Sequence, residues 1–332
     1  AKGSLSCKTV SNQSGPVQIH QGKLKSKVFE NTPAGHRWML RWLEERGAVQ
    51  SNTHICLEAT GPYSEPVALA ATKSGWQVSV MNPARIKGFA QSELARNKND
   101  QIDAGLLARF CAALQPEVWT PPSPAWRELR GWVDRLEALK AMHQQESNRL
   151  EAHQINQESA LVISVQQHLA WLAREIAELQ RKINDHVDRH PDLKQDSELL
   201  HSIPGLGETT VAKILAYAGN IRRFTSAKAL AAFAGLTPRQ RISGSSVKGR
   251  TMLSRTGHAD LRRALYMPGL VARRHNPTLK AFADRLAATG MAPKAVVGAV
   301  MRKLVHLAYG IVTSGKPFDE NHQARLAIQE GI

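Results

Sequence analysis

The stretch THICLEATGPYSEPVALAATKSGWQVSVMNP, residues 53–83, predicts a strand, a helix and a second strand in succession. THICLEA is a short apolar, β-prone run, and GWQVSVMNP is another, closed by Asn82-Pro83. The segment between them predicts a helix with a proline near its beginning and Gly75 at its end. A strand–helix–strand unit is typical of α/β domains, so we expect an α/β fold in this part of the chain.

The segments on either side extend this pattern. GKLKSKVFENT predicts a strand upstream, residues 33–47 predict a helix, and residues 101–114 predict another helix with apolar positions at helical spacing. The Pro-rich TPPSPAW, residues 120–126, is typical of a linker. We therefore assign an N-terminal α/β domain to residues 1–119.

Two long helical patterns with charged outer faces follow the linker, and Pro191 ends them. They predict a helical hairpin or a coiled coil, and the pattern does not separate packing within one chain from packing between two. From about residue 196, short helices joined by Gly and Pro turns predict a mainly α domain. The expected organisation is therefore a helical coiled-coil region at 120–195 and a C-terminal domain at 196–332.

Composition indicates a globular protein. Of 332 residues, 42% are hydrophobic and 22% are charged, which is unlike a disordered chain. We expect no membrane span from the sequence, and the first residues lack the apolar core of a signal peptide. Three widely separated cysteines, Cys7, Cys56 and Cys111, do not make a disulfide framework, so we expect a cytoplasmic protein.

The charge is unevenly distributed along the chain. The formal net charge is +16, with +7 in residues 1–99, −5 in residues 100–200 and +14 in residues 201–332. A basic C-terminal third beside an acidic middle favours a nucleic-acid partner over an anionic membrane. A basic protein that is merely soluble is the simpler alternative.

Three acids have the spacing of a metal site. Glu58 ends a predicted strand, whereas Asp100 and Asp103 begin a predicted helix and share one face of it. Carboxylates in this arrangement suit Mg²⁺, which binds oxygen ligands and assists phosphodiester chemistry. The alternative is structural, since an Asp at a helix start is often an N-cap.

The stretch SIPGLGETTVAKILAYAG, residues 202–219, predicts two helices joined by a glycine turn. Gly205 and Gly207 allow backbone N–H groups to approach a phosphate at a helix N-terminus, as in a helix-hairpin-helix motif. A plain helix–helix turn is the alternative.

The stretch RISGSSVKGR, residues 241–250, carries three serines among cations. The surrounding charges predict a phosphate-binding loop, with His258 as a nearby acid/base or, more simply, a cap. Chemistry alone leaves the nucleophile undecided, because a serine needs activation. The basic residues that we assign to nucleic-acid binding here are Arg239, Arg241, Lys248, Arg250 and Arg255.

Taken together, these stretches resemble one family. HICLEATGPYSEPVA, VSVMNPARIKGFAQSELARNKNDQIDAGLLARFC, SIPGLGETTVAKILAYAG, LAAFAGLTPRQ, SGSSVKG, GHADLRRALYMP and GAVMRKLVHLAYGIVTSGKPFD are similar to the DEDD transposases of bacterial insertion sequences. Their relatives include site-specific DNA invertases and bridge-RNA-guided recombinases. The resemblance covers roughly residues 24–320.

This resemblance implies a RuvC-like N-terminal domain of ribonuclease-H type, a coiled-coil middle and a C-terminal transposase domain. It implies that Glu58, Asp100 and Asp103 match the second, third and fourth acids of a metal-binding tetrad. It also implies that Ser243 matches a serine nucleophile that joins transiently to a DNA strand end. The expected partners are DNA, a structured guide RNA in some members, and further copies of the chain as a dimer or tetramer in the bacterial cytoplasm.

The sequence departs from the family pattern at its start. The family's first acid follows an apolar-Gly-apolar strand, but this chain has no Asp before Asp100 and shows no convincing opening strand. The main hypothesis is a Mg²⁺-dependent transposase or recombinase with a serine nucleophile. The alternatives are a nucleic-acid-binding remnant without catalysis and a metal-only junction nuclease.

Overall fold

The computed structural model describes residues 4–7, 27–93, 100–239, 242–243, 247–248 and 252–320. Contacts within the chain divide it into two compact units, Ala1–Pro121 and Pro122–Ile332. The first combines short strands with helices and the second is mainly helical, so an α/β N-terminal part followed by a helical C-terminal part is confirmed. The RuvC-like topology, the coiled coil and the three-part division of the chain stay predictions.

The first unit is built around two short strand pairs. β1 pairs antiparallel with β2, and β3 pairs parallel with β4, which places Glu58 opposite Met81. The predicted strand–helix–strand unit is present, and its helix ends before Gly75, whose φ of 83° suits a glycine. The elements in chain order are β1 (Ser4–Cys7), β2 (Lys27–Glu30), α1 (Pro33–Glu44), β3 (His54–Glu58), α2 (Glu65–Lys73), β4 (Gln77–Met81), α3 (Pro83–Ser92) and α4 (Asp100–Leu114).

The strand β1 corrects the expectation that no strand opens the chain. Its sequence, SLSC, alternates polar and apolar residues over only four positions, which is too short a run to stand out from a loop. Pairing with β2 supplies its backbone hydrogen bonds, and the strand also contacts α4. The first acid of the family pattern is still missing, because β1 contains no Asp or Glu.

A buried polar network joins the strands of the parallel pair to the segment after α4. The Ser79 hydroxyl donates to the Glu117 carbonyl oxygen at 2.6 Å and lies 2.8 Å from Nε2 of His54. A hydroxyl has one proton to donate, so His54 Nε2–H donates to Ser79. Trp119 N donates to Val78 O at 2.7 Å, which continues the attachment. These bonds hold the chain at the edge of β4 after it leaves α4.

The second unit begins with two long helices that pack together as a hairpin. Their facing apolar side chains, including Leu136, Leu139, Leu172 and Ile183, are almost fully buried. The α-helices and strands described in this unit are α5 (Pro124–Ile155), α6 (Ser159–Arg189), α7 (Pro191–His201), α8 (Glu208–Ala218), α9 (Ala227–Phe233), β5 (Pro238–Arg239), β6 (Ile242–Ser243), β7 (Val247–Lys248), β8 (Met252–Leu253), α10 (Ala259–Ala264), α11 (Tyr266–His275), α12 (Pro277–Ala288) and α13 (Pro293–Ser314).

The last helix corrects the expectation that only short helices follow residue 196. α13 has 22 residues, whereas the sequence predicts only short helices here, and it is long and apolar enough by composition to span a membrane. Its apolar face is buried against α9, α11 and α12. Ten of its residues, among them Val300, Leu304 and Val312, are buried, which is the pattern of a core helix.

We expect the first unit to lose stability as the pH falls below about 6.5. Burial lowers the pKa of both His36 and His54 from the ordinary value of 6.5. The unfolded chain therefore takes up protons on these rings at a higher pH than the folded chain does. Their contribution to stability is complete above pH 6.5 and is lost as the pH falls toward the lowered folded values.

Thermal unfolding between about pH 8 and about pH 5 measures this effect. His54→Gln should make the pH dependence of the first unit shallower. His201→Gln, at an exposed position of the second unit, is the matched control and should leave it unchanged. An equal pH dependence in wild type and His54→Gln would contradict the assignment.

Candidate functional site

Glu58 is the last residue of β3, and other residues hold in place the segment that follows it. Asn31 Nδ2 donates to the carbonyl oxygen of Tyr63 at 2.8 Å, and buried His36 Nε2 lies 2.7 Å from Asn31 Oδ1. Thr60 N also donates to the Ser64 hydroxyl. Within the described part of the chain, the half-buried Glu58 carboxylate has no hydrogen bond or ion pair. Pairing of β3 with β4 positions the backbone of Glu58.

The helix α4 runs antiparallel to β3. Cys111 Sγ lies 3.8 Å from the carbonyl oxygen of His54, at the start of the strand. Leu106, farther toward the beginning of the helix, shares a small core with Met81, which is the β4 partner of Glu58. The first turn of α4, which contains Asp100 and Asp103, is therefore directed toward the end of β3 that carries Glu58.

This arrangement fits a divalent cation in part. Three carboxylate positions on two adjacent elements point to a hard cation such as Mg²⁺, which takes oxygen ligands. Among the described residues, no group of three His, Cys, Asp or Glu side chains comes together as a metal site. The side chains of Asp100 and Asp103 lie outside the described residues, so the fit rests on Glu58 and on the course of the α4 backbone.

Sequence reasoning missed a contact between Cys56 and Cys111. The two thiols meet between β3 and α4, two residues before Glu58 on the strand. A hydrogen bond between the thiols, and then burial, raise the pKa of Cys56 well above its ordinary value. Both side chains therefore act as small apolar packing groups that hold α4 on the strand. Their separation of 55 positions leaves no local signal of the contact.

The predicted serine loop contains two strand pairs, one nested inside the other. β5 pairs antiparallel with β8, and β6 pairs antiparallel with β7 between them. Ser243 is the last residue of β6 and lies opposite Val247, so only three residues separate the two partners. The backbone thus places Ser243 at the end of β6 within the inner pair. Its side chain lies outside the described residues, as do those of Ser245 and Ser246.

The base of these strand pairs is rigidly packed. His258 N donates to Phe233 O at 2.6 Å, and the Arg262 guanidinium lies 3.2 Å from the Arg255 carbonyl oxygen. A Cβ on Gly257 would lie 2.4 Å from Phe233 O, so only glycine fits there. This base fixes the direction in which the strands leave the core.

His258 serves as a helix cap. Leu261 N donates to its Nδ1 at 3.2 Å at the start of α10, and its ring packs on Tyr217 and Phe233. Burial, followed by the nearby Arg130, lowers the pKa of this imidazole. Since Nδ1 accepts the capping bond, the simpler of the two sequence interpretations is favoured over an acid/base role.

The glycine turn at 202–207 packs tightly against another helix. Gly205 has a φ of 107°, and a Cβ there would lie 2.7 Å from the Cβ of Ala272 on α11. Gly207 is the N-cap of α8 and has open space around it. Exposed Glu208 puts a negative charge in the first turn of α8, where a phosphate would otherwise approach. This geometry explains Gly205 by packing, and its role in binding a phosphate stays a prediction.

The structure describes only some of the basic residues that we assign to nucleic-acid binding. Arg239 and Arg255 are exposed, and Arg255 has an unusual φ of 56°. Lys248 is described only by its backbone, in β7. Arg241 and Arg250 lie outside the described residues. The described cations flank the strand pair that carries Ser243.

Comparison with known proteins decides the family. A model of the transposase IS116/IS110/IS902 family matches residues 197–284, and a model of IS110-type DEDD transposases matches residues 17–154. A pilin gene-inverting protein of Moraxella bovis is 32% identical over 294 residues, which are 88% of this chain and 90% of the relative. The chain belongs to the IS110 family of DEDD transposases and DNA recombinases.

Two further relatives agree with this placement. The pilin gene-inverting protein of Moraxella lacunata is also 32% identical over 88% of this chain. A transposase for insertion sequence element IS1328 of Yersinia enterocolitica is 26% identical over 280 residues, covering 74% of this chain and 80% of the relative. The family places this transposase among enzymes that recombine DNA, and its members generally use a divalent metal.

We expect Gly205→Ala to destabilise the second unit of the transposase and Gly207→Ala to have little effect. The first change puts a Cβ against Ala272 and forces a left-handed backbone on a residue with a side chain, which costs about 1–2 kcal/mol before any clash. The second change adds a methyl group to open space at a residue with a φ of −89°.

Chemical denaturation of the two variants beside wild type measures the difference. Equal stabilities for the two alanine variants would contradict the packing role of Gly205. A DNA affinity that falls in Gly207→Ala without loss of stability would instead support phosphate binding at this turn.

Proposed function

We propose that this transposase cuts and joins DNA strands of an insertion sequence, with Ser243 as the nucleophile and Glu58, Asp100 and Asp103 as ligands of Mg²⁺. The course of α4 carries the proposal, because it directs both Asp positions toward the strand end that bears Glu58. The position of Ser243 at the end of a strand in the inner of two nested strand pairs adds to it.

The serine step conserves the energy of the phosphodiester. The Ser243 Oγ forms a bond to phosphorus while the bond to one deoxyribose oxygen breaks, and the serine proton passes to solvent as the leaving oxygen takes one up. A second deoxyribose hydroxyl then reverses the exchange and releases the serine. A bound Mg²⁺ would stabilise the charge that develops on the phosphate oxygens.

Each protein group has a separate task in this proposal. The pairing of β3 with β4 positions Glu58, and the packed base at Gly257 orients the strands that carry Ser243. The exposed guanidinium groups of Arg239 and Arg255 bind phosphates beside the scissile one. The partner is DNA, and we extend the proposal to a structured guide RNA and to a dimer or tetramer, as the family resemblance implies.

A DNA-binding protein without catalysis is the second candidate. The sequence of β1, SLSC, favours it, because that strand supplies no carboxylate to complete a tetrad. This candidate predicts salt-sensitive DNA binding with no cleaved or joined product at any Mg²⁺ concentration. A metal-only nuclease is a third candidate and predicts cleavage that does not need Ser243.

We expect Ser243→Ala to abolish covalent protein–DNA adducts while leaving DNA binding nearly intact. The substitution removes the attacking oxygen and no charge. Denaturing gels with end-labelled element DNA measure the adduct, and anisotropy measures binding. Ser245→Ala and Ser246→Ala are the controls and should still form adducts. Cleavage that persists in Ser243→Ala would reject the serine and support the metal-only nuclease.

We expect Glu58→Gln to weaken Mg²⁺ binding at least about tenfold and to slow strand cleavage, because a carboxylate ligand is removed. Glu117→Gln removes an exposed carboxylate of the same unit and should change neither quantity. Titration of each variant with Mg²⁺, followed by calorimetry and by product formation, makes the comparison. Equal Mg²⁺ affinity in wild type and Glu58→Gln would contradict the ligand assignment.

A further inference from the structure

The cations of the second unit fall into two groups. Some are neutralised within the protein: Lys213 Nζ lies 2.7 Å from Glu137, and the Arg222 guanidinium contacts both oxygens of buried Asp196 at 2.7 and 2.9 Å. Others have no ion pair with a described residue, and Lys228 and Lys303 are exposed members of this second group. An external anion would gain the most electrostatic stabilisation from the second group, because its charges are not already neutralised within the protein.

The segments of sequence that contain this second group lack acidic residues. There is no Asp or Glu between Glu208 and Asp260, nor between Asp284 and Asp319. All of α9 and all of α13 fall within these two segments. Because the two helices pack against each other, their combined surface is acid-free and basic.

Four side chains converge on this surface, and we call them the α9–α13 cluster: Lys228 on α9, with Arg302, Lys303 and His306 on α13. Arg302, Lys303 and His306 share a helix face because His306 lies three and four positions after the other two. The Arg302 guanidinium donates to the Leu236 carbonyl oxygen at 3.3 Å, and Lys303 Nζ lies 5.5 Å from the centre of the Phe282 ring. These contacts hold two of the cations in place.

The environment of the His306 ring indicates that the other three members of the cluster lie near it. Burial, and then the positive charges of Arg302, Lys303 and Lys228, lower the pKa of its ring. Its Nε2 is enclosed and has no hydrogen-bond partner among the described residues. The cluster has three permanent charges, on Lys228, Arg302 and Lys303, and none of them has a carboxylate partner among the described residues.

We propose that the α9–α13 cluster binds the phosphate backbone of duplex DNA, beside the strands that carry Ser243. Leu236, which accepts the hydrogen bond from Arg302, precedes exposed Arg239 by three residues. The cluster therefore continues the predicted cationic surface of β5 onto two helices. The cluster binds DNA without sequence specificity, because contacts to phosphates position a protein on the duplex and do not distinguish one base from another. The inference rests on the proposed function for its ligand.

The test removes the two exposed lysines together. Lys228→Gln/Lys303→Gln takes two charges from the cluster and leaves Arg302 with its carbonyl contact. Lys182→Gln/Lys194→Gln is the matched control, since it removes two exposed lysines of the same unit that already face Glu178 and Asp188. Anisotropy with duplex DNA over a range of salt concentrations gives the affinity and its salt dependence, and thermal unfolding checks the fold of each variant.

We expect the cluster variant to bind duplex DNA on the order of tenfold more weakly near 0.1 M salt. The slope of log K against log[salt] should become shallower by about 0.9 for each lysine–phosphate interaction that the variant removes, hence by about 2 in total. The control should match wild type. Affinity and slope equal to wild type in the cluster variant would overturn the inference, and so would a weakening confined to structured RNA.

The same titration separates this inference from the proposed function. A wild-type protein that does not bind duplex DNA would refute both. Wild-type binding with normal Ser243 adducts, combined with an unaffected cluster variant, would refute only the role of the cluster.

Discussion

The burial of α13 is the constraint on which the C-terminal unit depends. Ten of its residues are buried, and fully burying one large aliphatic side chain is worth about 1.5–3 kcal/mol before entropy is counted. The same helix contacts β8, which belongs to the outer of the two strand pairs around Ser243. A Cβ at Gly298 would lie 3.2 Å from Leu253 of β8, so the glycine lets β8 approach the helix closely. The outer of the two strand pairs around Ser243 is thus anchored on a core helix of its unit.

One helix therefore has two faces with opposite functions. The face with Val300 and Leu304 forms the core, whereas the face with Arg302 and Lys303 stays outside it. A charge cannot enter an apolar core without a partner, so the positions of cations along α13 follow from its packing. The surface charge of this unit is in that sense a consequence of its fold, and the absence of carboxylates from α13 determines its sign.

The fold was predictable wherever a periodic pattern was long enough. The run 53–83 predicted β3, α2 and β4, and the apolar spacing after residue 124 predicted α5 and α6. β1 was missed because four residues carry too little pattern, and its pairing with β2 is a tertiary contact. The length of α13 was missed because Gly298 and Gly310 resemble breaks, although burial against neighbouring helices stabilises the helix through both.

The candidate site was predictable in its residue types and less so in its supporting contacts. The spacing of Glu58, Asp100 and Asp103 indicated the acids, but no local pattern joined Cys56 to Cys111 or Asn31 to Tyr63. Those contacts depend on the three-dimensional packing of β3, α1 and α4. His258 and Gly205 show the reverse case. Their residue types suggest catalysis or phosphate binding, but His258 is explained as a helix cap and Gly205 by the close approach of Ala272.

The acids and the serine belong to different compact units of the chain. Each group is held by its own unit: Glu58 by the pairing of β3 with β4, and Ser243 by strands that start at the packed Gly257. Rigid positioning within each unit means that a reaction requiring both depends on how the units are assembled on DNA. In the proposed mechanism neither unit alone contains the complete set of catalytic groups, so cleavage requires both units to act on the same phosphate. In a recombinase that must join every strand it cuts, control of that assembly is as important as the chemistry itself.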